Sequence, residues 1–262
     1  IRLRYGYRAI LAVVLSIMLL SGCTQKEDVT YESNCAESQA PAVTEPDSIL
    51  EWADPVVEQA VRRYLDRSEG DIRRSVLDGI SRFCVEKQDG TAFTSGGIIL
   101  FIGNMENKAS VDSVLVADAK HFRGATEMLF AGLPIEDISF LSDLEGLEKL
   151  RISSCGITDI SPLRNLKKLT SLELYDDQIS DLSPLSDLSM LTLLRLNGNK
   201  IADIGALSEL KSMKMLYLGD NEISDYSSLY DLPKLELLTL GANVTEEQRA
   251  ECIEKMPLCS IK

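Results

Sequence analysis

Apolar side chains return at a fixed interval through the middle of the chain. An isoleucine recurs every 22 residues, at Ile135, Ile157, Ile179, Ile201 and Ile223. Leucines keep the same distance from this isoleucine in each unit. Self-similarity at a short fixed period indicates stacked supersecondary units, none of which can bury its apolar side alone. The pattern therefore predicts a solenoid between Leu129 and Asn243.

Each unit contains two apolar residues separated by one other residue, which is the alternation of a short strand with one buried face. These pairs are Leu150/Ile152, Leu172/Leu174, Leu194/Leu196, Leu216/Leu218 and Leu238/Leu240. Because the strands repeat in the same direction, they predict a parallel sheet. A short side chain then follows each strand, and we expect it to point inward and satisfy backbone groups at the bend. The members of this predicted ladder are Cys155, Asp177, Asn199, Asn221 and Asn243.

The rest of each unit carries leucine-like residues at every third position, and Pro162 and Pro184 lie where a helical turn would begin. The outer side of the solenoid is therefore predicted to consist of 3₁₀ or short helical turns. One carboxylate also recurs in each unit, at Asp159, Asp181, Asp203 and Asp225. We interpret these aspartates as turn caps rather than as a calcium ladder, because one acid per coil supplies too few oxygen ligands unless neighbours converge.

The combined pattern, LxxLxLxxN-x-I-x-D-I-x-P-L, resembles that of leucine-rich repeats. The 22-residue length and the segment ITDISPL resemble the internalin-like bacterial subclass, and the resemblance covers Ile49 to Lys262. It implies an α/β solenoid with a parallel concave sheet, a convex side of 3₁₀ or short helical turns, and helical caps at both ends. The resemblance is specific for the fold and says little about a ligand.

A cap is required before the first repeat, which would otherwise expose its apolar cross-section. Asp54 and Pro55 predict the start of a helix of about three turns with one apolar face. A second short helix is predicted over 70–79, and Phe83 and Val85 indicate a first strand. Trp52, the only tryptophan, is expected to pack in the core.

After the last repeat the pattern changes to an amphipathic helix. Thr245 is expected to be its N-cap and Gln248 the partner residue of a capping box. Pro257 would end this helix, and Cys259 to Lys262 would add a last edge strand.

The N-terminus reads as an export signal, with Arg2, Arg4 and Arg8 before an apolar run from Ala9 to Leu20. This run of twelve residues, eleven of them apolar, is shorter than the roughly 20 apolar residues that span a bilayer. The motif Leu20-Ser21-Gly22-Cys23 resembles the bacterial lipobox, which implies cleavage before Cys23 and attachment of lipid to its sulfur. An ordinary secretory signal with a chance cysteine, or a short membrane anchor, are the alternatives.

The following polar and acidic segment has almost no apolar periodicity and is predicted to be a flexible tether. The chain therefore divides into six segments, namely a lipoprotein signal peptide (1–22), the tether (23–47), an N-terminal cap (48–85), an insertion with an irregular first repeat (86–127), the repeats (128–243) and a C-terminal cap (244–262). Residues 96–103, within the insertion, could form a strand, and the sequence leaves this open. The glycines that flank this segment do not form a phosphate-binding fingerprint.

The sequence contains no arrangement that predicts catalysis or a cofactor. The single histidine, His121, is expected at the surface, and neither a GxSxG turn nor CxxC, HxxxH or HExxH spacing occurs. A cluster of titratable groups packed into a pocket over 90–110 would reopen an enzymatic function. Cys252 and Cys259 could form a disulfide in an oxidising compartment, and the sequence does not decide whether they do. Asn243-Val-Thr245 matches a glycosylation sequon, which we discount because Asn243 is expected to point inward.

The net charge of −14 argues against nucleic acid as a partner, although it also serves solubility alone. Candidate function therefore lies in the side chains that alternate with the inward leucines and face the concave side. Arginine and tyrosine on a rigid sheet are enriched at binding hot spots. The candidate binding residues are Lys149, Arg151, Glu173, Tyr175, Asp176, Arg195, Asn197, Tyr217 and Asp220.

The leading hypothesis is a bacterial lipoprotein, anchored to the outer side of the cell membrane, that binds a protein or peptide through this face. The alternatives are a cell-envelope scaffold or polysaccharide-binding protein, and a solvated face without a specific ligand.

Overall fold

The computed structural model describes residues 47–88, 97–102, 105–109, 116–135 and 137–262. The predicted signal peptide, Cys23 and most of the predicted tether lie outside these ranges. No helix within them is long and apolar enough to span a membrane.

Strands of the described ranges pair into one sheet, in the order β10-β9-β8-β7-β6-β5-β4-β1-β2-β3. Their bounds are β1 Arg82–Gln88, β2 Gly97–Ile102, β3 Met105–Ala109, β4 Glu127–Ala131, β5 Lys149–Ser153, β6 Ser171–Tyr175, β7 Leu193–Arg195, β8 Met215–Tyr217, β9 Leu237–Thr239 and β10 Ser260–Ile261. Eight strands, β1 and β4 to β10, are parallel. Strands β2 and β3 add an antiparallel edge beside β1, so the segment left open over 96–103 does contain a strand.

The register explains the period of the sequence. Leu150 pairs with Leu172, which pairs in turn with Leu194, so residues 22 apart stack directly on one another. These leucines are 0–2% exposed, and they form one continuous core with the apolar residues of the outer turns. The predicted parallel concave sheet is confirmed.

The outer side consists of short 3₁₀ turns, as predicted. Their bounds are Val116–His121, Ser139–Leu141, Ser161–Asn165, Ser183–Leu185, Gly205–Glu209 and Ser227–Leu229. Pro162 and Pro184 lie within the first two positions of their turns, where no backbone N–H donor is needed. Each turn occupies the return path between two strands of the sheet.

Buried asparagines hold neighbouring coils together. The side-chain amide of Asn199 donates to the carbonyl oxygens of Leu174 (2.7 Å) and Leu196 (2.9 Å). Its Oδ1 accepts from the backbone N–H of Ile179 at 3.0 Å. Asn221 repeats this arrangement one coil later. The predicted ladder is confirmed at these positions, where one side chain satisfies backbone groups of two coils.

The last ladder residue departs from the prediction. Asn243 is exposed, although its amide still donates to the carbonyl oxygen of Asn221 at 2.5 Å. The chain turns into the C-terminal helix after Asn243, so no further coil covers this side chain. The prediction that Asn243 points inward, on which the sequon was discounted, was therefore wrong.

A second 22-residue series, which the sequence analysis did not identify, lies in the turn after each strand. Its members have φ between 52° and 68° and are Gly132, Ser154, Asp176, Gly198 and Asp220. Left-handed backbone favours glycine and tolerates aspartate. At Gly198 a Cβ would also lie 2.3 Å from Oδ1 of Asp176, so a larger residue there would have to displace this exposed side chain.

The N-terminal helix α1 spans Pro55–Tyr64, with Asp54 as its N-cap accepting from the N–H of Val56. The second helix predicted over 70–79 is reduced to a single 3₁₀ turn, Arg74–Val76. The segment before this turn is held extended, because Leu50 donates to the carbonyl of Ile72 and Arg74 donates to that of Ser48. Backbone pairing therefore replaces helix formation there.

The C-terminal helix α2 spans Glu246–Lys255 and begins with the predicted capping box. Thr245 Oγ1 accepts from the N–H of Gln248, whose side chain accepts from the N–H of Thr245. Strand β10 follows and pairs in parallel with β9, as expected for an edge strand. Cys252 and Cys259, for which a disulfide was left open, are free thiols.

His121 is buried, which corrects the expectation of a surface residue. Its ring stacks edge-on against Trp52 at 5.4 Å, and Nε2 lies 3.2 Å from the carbonyl oxygen of Glu51. The buried carboxylate of Asp118 lies 3.6 Å from the same nitrogen and accepts from the N–H groups of Ala53 and Asp54. This cluster ties the cap to the first outer turn.

Candidate binding face

Three rows of side chains cross the concave face of the sheet, because alternate residues of each strand point the same way. The leading row contains Arg82, Glu127, Lys149, Ser171, Leu193, Met215 and Leu237. The central row contains Cys84, Leu129, Arg151, Glu173, Arg195, Tyr217 and Thr239. The trailing row continues through Glu86, Ala131, Ser153, Tyr175, Asn197, Gly219 and Gly241.

Two arginines of the central row share one carboxylate. Arg151 Nη2 lies 3.0 Å from Oε2 of Glu173, and Arg195 Nη1 lies 3.5 Å from the same oxygen. The guanidinium of Arg195 also lies over the ring of Tyr217, 4.7 Å from its centroid. The predicted residues Arg151, Glu173, Arg195 and Tyr217 therefore form one connected cluster across four strands.

The carboxylate of Glu173 favours the charged form of Arg151. Burial works against the charge of Arg151, but the hydrogen bond and the charge of Glu173 outweigh it and raise the pKa of this guanidinium. The Nε atoms of Arg151 and Arg195 are buried without a hydrogen-bond partner. Both arginines are thus held in place by a carboxylate that does not satisfy all of their donors.

The leading row changes character along the solenoid. Lys149 is exposed at the β5 end, and Ser171 follows on β6. Leu193, Met215 and Leu237 then occupy adjacent strands and are all half-buried. None of the three is among the candidate binding residues named from the sequence, although their common 22-residue phase was the available signal.

The trailing row lacks side chains at two of its positions, Gly219 and Gly241. Tyr175 and Asn197 are half-buried, as expected for residues that face the concave side, whereas Ser153 is buried. A Cβ on Gly219 would lie 2.9 Å from Nδ2 of Asn197, so that the amide packs directly over the glycine. The predicted residues Asp176 and Asp220 are exposed just beyond this row, at the left-handed turn positions.

The recurrent aspartates of the outer turns are turn caps, as interpreted from the sequence. Asp159 Oδ1 accepts from the N–H of Ser161 at 2.8 Å, and Asp181 and Asp225 bind Ser183 and Ser227 in the same way. The backbone hydrogen bond lowers the pKa of Asp159 and of Asp225. Within the described ranges, no three His, Cys, Asp or Glu side chains converge as metal ligands would.

The comparisons with known proteins agree with this architecture. A family model described as Leucine Rich repeats (2 copies) matches residues 145–187 and 189–231, so the chain contains leucine-rich repeats. No curated protein sequence matches the chain significantly.

Among solved structures, the chain is similar to internalin C2 of Listeria monocytogenes, with 21% identity over 79% of this chain and 91% of that chain and a TM-score of 0.53. An internalin of the same organism, inlF, has 24% identity over 80% of this chain and a TM-score of 0.53; the match spans only 62% of that chain. A leucine-rich repeat protein of Leptospira interrogans has 20% identity over 57% of this chain and 40% of that chain, with a TM-score of 0.50. These likenesses establish the leucine-rich repeat fold.

Proposed function

We propose that this leucine-rich repeat protein is a non-catalytic module that binds a protein or peptide through its concave face. The observation that carries the proposal is the connected cluster of Arg151, Glu173, Arg195 and Tyr217 on a rigid parallel sheet. Arginine and tyrosine provide much of the binding energy at protein interfaces when neighbouring groups hold them in place. Pre-ordered side chains also lose less conformational entropy on binding.

We further propose that the chain is a bacterial lipoprotein on the outer side of the cell membrane, carrying its lipid on Cys23. The support is the Leu-Ser-Gly-Cys motif after a basic and apolar N-terminus. Metabolic labelling with a clickable palmitate analogue tests this. Wild type should be labelled and sediment with membranes, and Cys23→Ala should lose the label. Equal labelling of both would overturn the anchor.

The binding proposal is tested by replacing the face without disturbing the core. A variant with Arg151→Ala, Tyr175→Ala, Arg195→Ala and Tyr217→Ala removes large concave side chains. Photo-crosslinking in the native envelope, read by mass spectrometry, should give partner bands with wild type that this variant loses. A matched variant outside the three rows, with Lys168→Ala and Met190→Ala in the exposed turns before β6 and β7, should retain them. Identical band patterns for all three proteins would overturn the proposal.

A polysaccharide ligand is the competing outcome, because tyrosines on an open face also stack against sugar rings. Sedimentation with purified cell wall separates the two. Binding to protein-free wall that requires Tyr175 and Tyr217 would replace the protein-binding proposal with the polysaccharide one.

A further inference from the structure

We infer that the partner presents a carboxylate followed by a cluster of apolar side chains, laid along the leading row from Lys149 towards Leu237. This inference rests on the proposed function and specifies the chemistry and the direction of the partner segment. It follows from the order of side chains along the row, from the charge of the face and from the pairing of its cations.

The order of the leading row is asymmetric. Over the stretch from β5 to β9, a cation lies on β5 and three apolar residues occupy β7, β8 and β9. Before β5 the row begins with Arg82 and Glu127, which pair with each other. Neighbouring strands are about 4.8 Å apart, so the row from Lys149 to Leu237 is about 19 Å long. A helix of about 13 residues, or an extended segment of about six, covers that length. Such a segment can satisfy both ends of the row in only one direction.

The apolar end is suited to a protein side chain. Leu193, Met215 and Leu237 stand next to each other in register, and each remains half-buried on the open face. Covering apolar surface contributes about 25 cal/mol per Å², whereas covering sugar hydroxyls against leucine and methionine leaves those hydroxyls without hydrogen bonds. The aliphatic strip therefore favours a protein partner over a polysaccharide.

The charge of the face selects an acidic partner. The three rows on β1 and β4 to β9 carry the cations Arg82, Lys149, Arg151 and Arg195 against the anions Glu86, Glu127 and Glu173. All four cations lie in the leading and central rows, which carry only Glu127 and Glu173 against them, whereas Glu86, Asp176 and Asp220 lie in or just beyond the trailing row. The positive charge is therefore concentrated on the rows that the segment would cover, in a chain whose net charge is −14. An acidic segment is repelled by most of the chain and attracted here.

The existing ion pairs of the face indicate where the carboxylate of the partner would bind. Arg82 has its own partner in Glu127, at 3.0 Å, while Arg151 and Arg195 divide Glu173 between them. The Lys149 ammonium makes no side-chain hydrogen bond or ion pair with any residue that the structure describes, and it is exposed. A partner carboxylate near β5 would supply the missing counter-charge for Lys149 and for the half-satisfied arginines.

The experiment uses the full chain and a phage-displayed library of random 16-residue peptides. Selected peptides should carry Asp or Glu on one constant side of an apolar cluster. Lys149→Glu should weaken their binding at least tenfold, and Leu193→Ser with Leu237→Ser should do the same. Peptides selected on Lys149→Glu should carry Lys or Arg in place of the acid. Matched variants outside the three rows, Lys168→Glu and Met190→Ser, should bind like wild type.

Two results would overturn the inference, and they are distinguishable. In the first result, the selected peptides bind Lys149→Glu and the double serine variant as they bind wild type, but do not bind the four-alanine variant of the face. This result would refute the partner chemistry and leave the proposed function standing. Peptides that bind all these variants equally would refute both. Circular dichroism melting of each variant, within a few degrees of wild type, separates loss of binding from loss of folding.

Discussion

Asp177 breaks the polar ladder, and replacing it with asparagine should stabilise the protein. Its Oδ1 accepts from the N–H groups of Cys155 (2.8 Å), Gly156 (2.7 Å) and Ile157 (3.3 Å). Its Oδ2 is buried and has no hydrogen-bond partner. One coil later, Asn199 places a donating amide nitrogen at the equivalent position. Because the coils repeat, we expect the Asp177 Oδ2 to face the equivalent backbone carbonyls, which can only accept.

The change in the free energy of unfolding can be estimated from the hydrogen bonds that Asp177→Asn would add. An amide to carbonyl hydrogen bond contributes about 0.5–1.5 kcal/mol net, and a buried polar atom without a partner costs about 1–3 kcal/mol. Asp177→Asn turns the unpaired oxygen into a donor and keeps Oδ1. We therefore expect the free energy of unfolding at pH 7 to rise by about 2 kcal/mol. For a domain of this size, that raises the melting temperature by about 4–8 °C.

The gain should depend on pH. Burial raises the pKa of the Asp177 carboxyl, against three backbone donors that lower it. A protonated Oδ2 can donate to a carbonyl. The stability from that form is fully present below the unfolded pKa of about 3.9 and is lost as the pH rises through the higher folded pKa. The neighbouring titratable groups are the exposed carboxylate of Asp176 and the buried thiol of Cys155, whose pKa is also raised by burial.

Melting curves of wild type and Asp177→Asn between pH 4 and pH 7 measure this directly. The difference in melting temperature should be largest at pH 7 and shrink towards pH 4. The reverse substitution, Asn199→Asp, should lose a similar amount at pH 7 and recover part of it in acid. The reasoning is refuted if Asp177→Asn melts at or below wild type at pH 7, or if the difference does not change with pH.

Three further outcomes are expected. Glu173→Gln removes the carboxylate that two arginines share. It should lower the free energy of unfolding, measured in urea, by about 1–3 kcal/mol and should tighten the binding of acidic peptides. Unchanged stability in urea would show that these ion pairs do not stabilise the fold. Thr245→Ala removes the N-cap of α2 and should cost about 0.5–2 kcal/mol, read from thermal melting, with Thr158→Ala on an exposed turn as the neutral control. Burial lowers the pKa of His121, so the unfolded chain takes up a proton first and stability should fall as the pH drops below about 6.5. His121→Gln should flatten that part of the profile, and an unaltered slope would contradict the assignment.

Sequence predicted the coils well because each coil repeats the same local requirements. The inward leucines, the outer 3₁₀ turns and the asparagines at 199 and 221 depend only on stacking one unit on the next. The burial of His121 was missed because it depends on Trp52 and on the carbonyl of Glu51, which no period relates to it. Asn243 was misplaced because a periodic argument assumes another coil beyond the last one.

The shared carboxylate of Glu173 lies between these cases. Arg151, Glu173 and Arg195 are 22 residues apart, so the sequence places them on adjacent strands. It does not show that the two arginines turn towards one carboxylate, because that depends on rotamers and on the ring of Tyr217. The site residues were therefore predictable as a surface, and their pairing was not.

The departures from the period separate two kinds of position. Inside each coil, the leucines, the ladder and the left-handed turn are fixed by packing, so a deviation there, such as Asp177 with its unpaired oxygen, costs stability. On the concave rows, packing fixes nothing about charge or polarity, yet the residues change in order from lysine to leucine along one row and alternate in sign along the next. Folding alone does not require that order, whereas the proposed partner, lying across the coils in one direction, would require it.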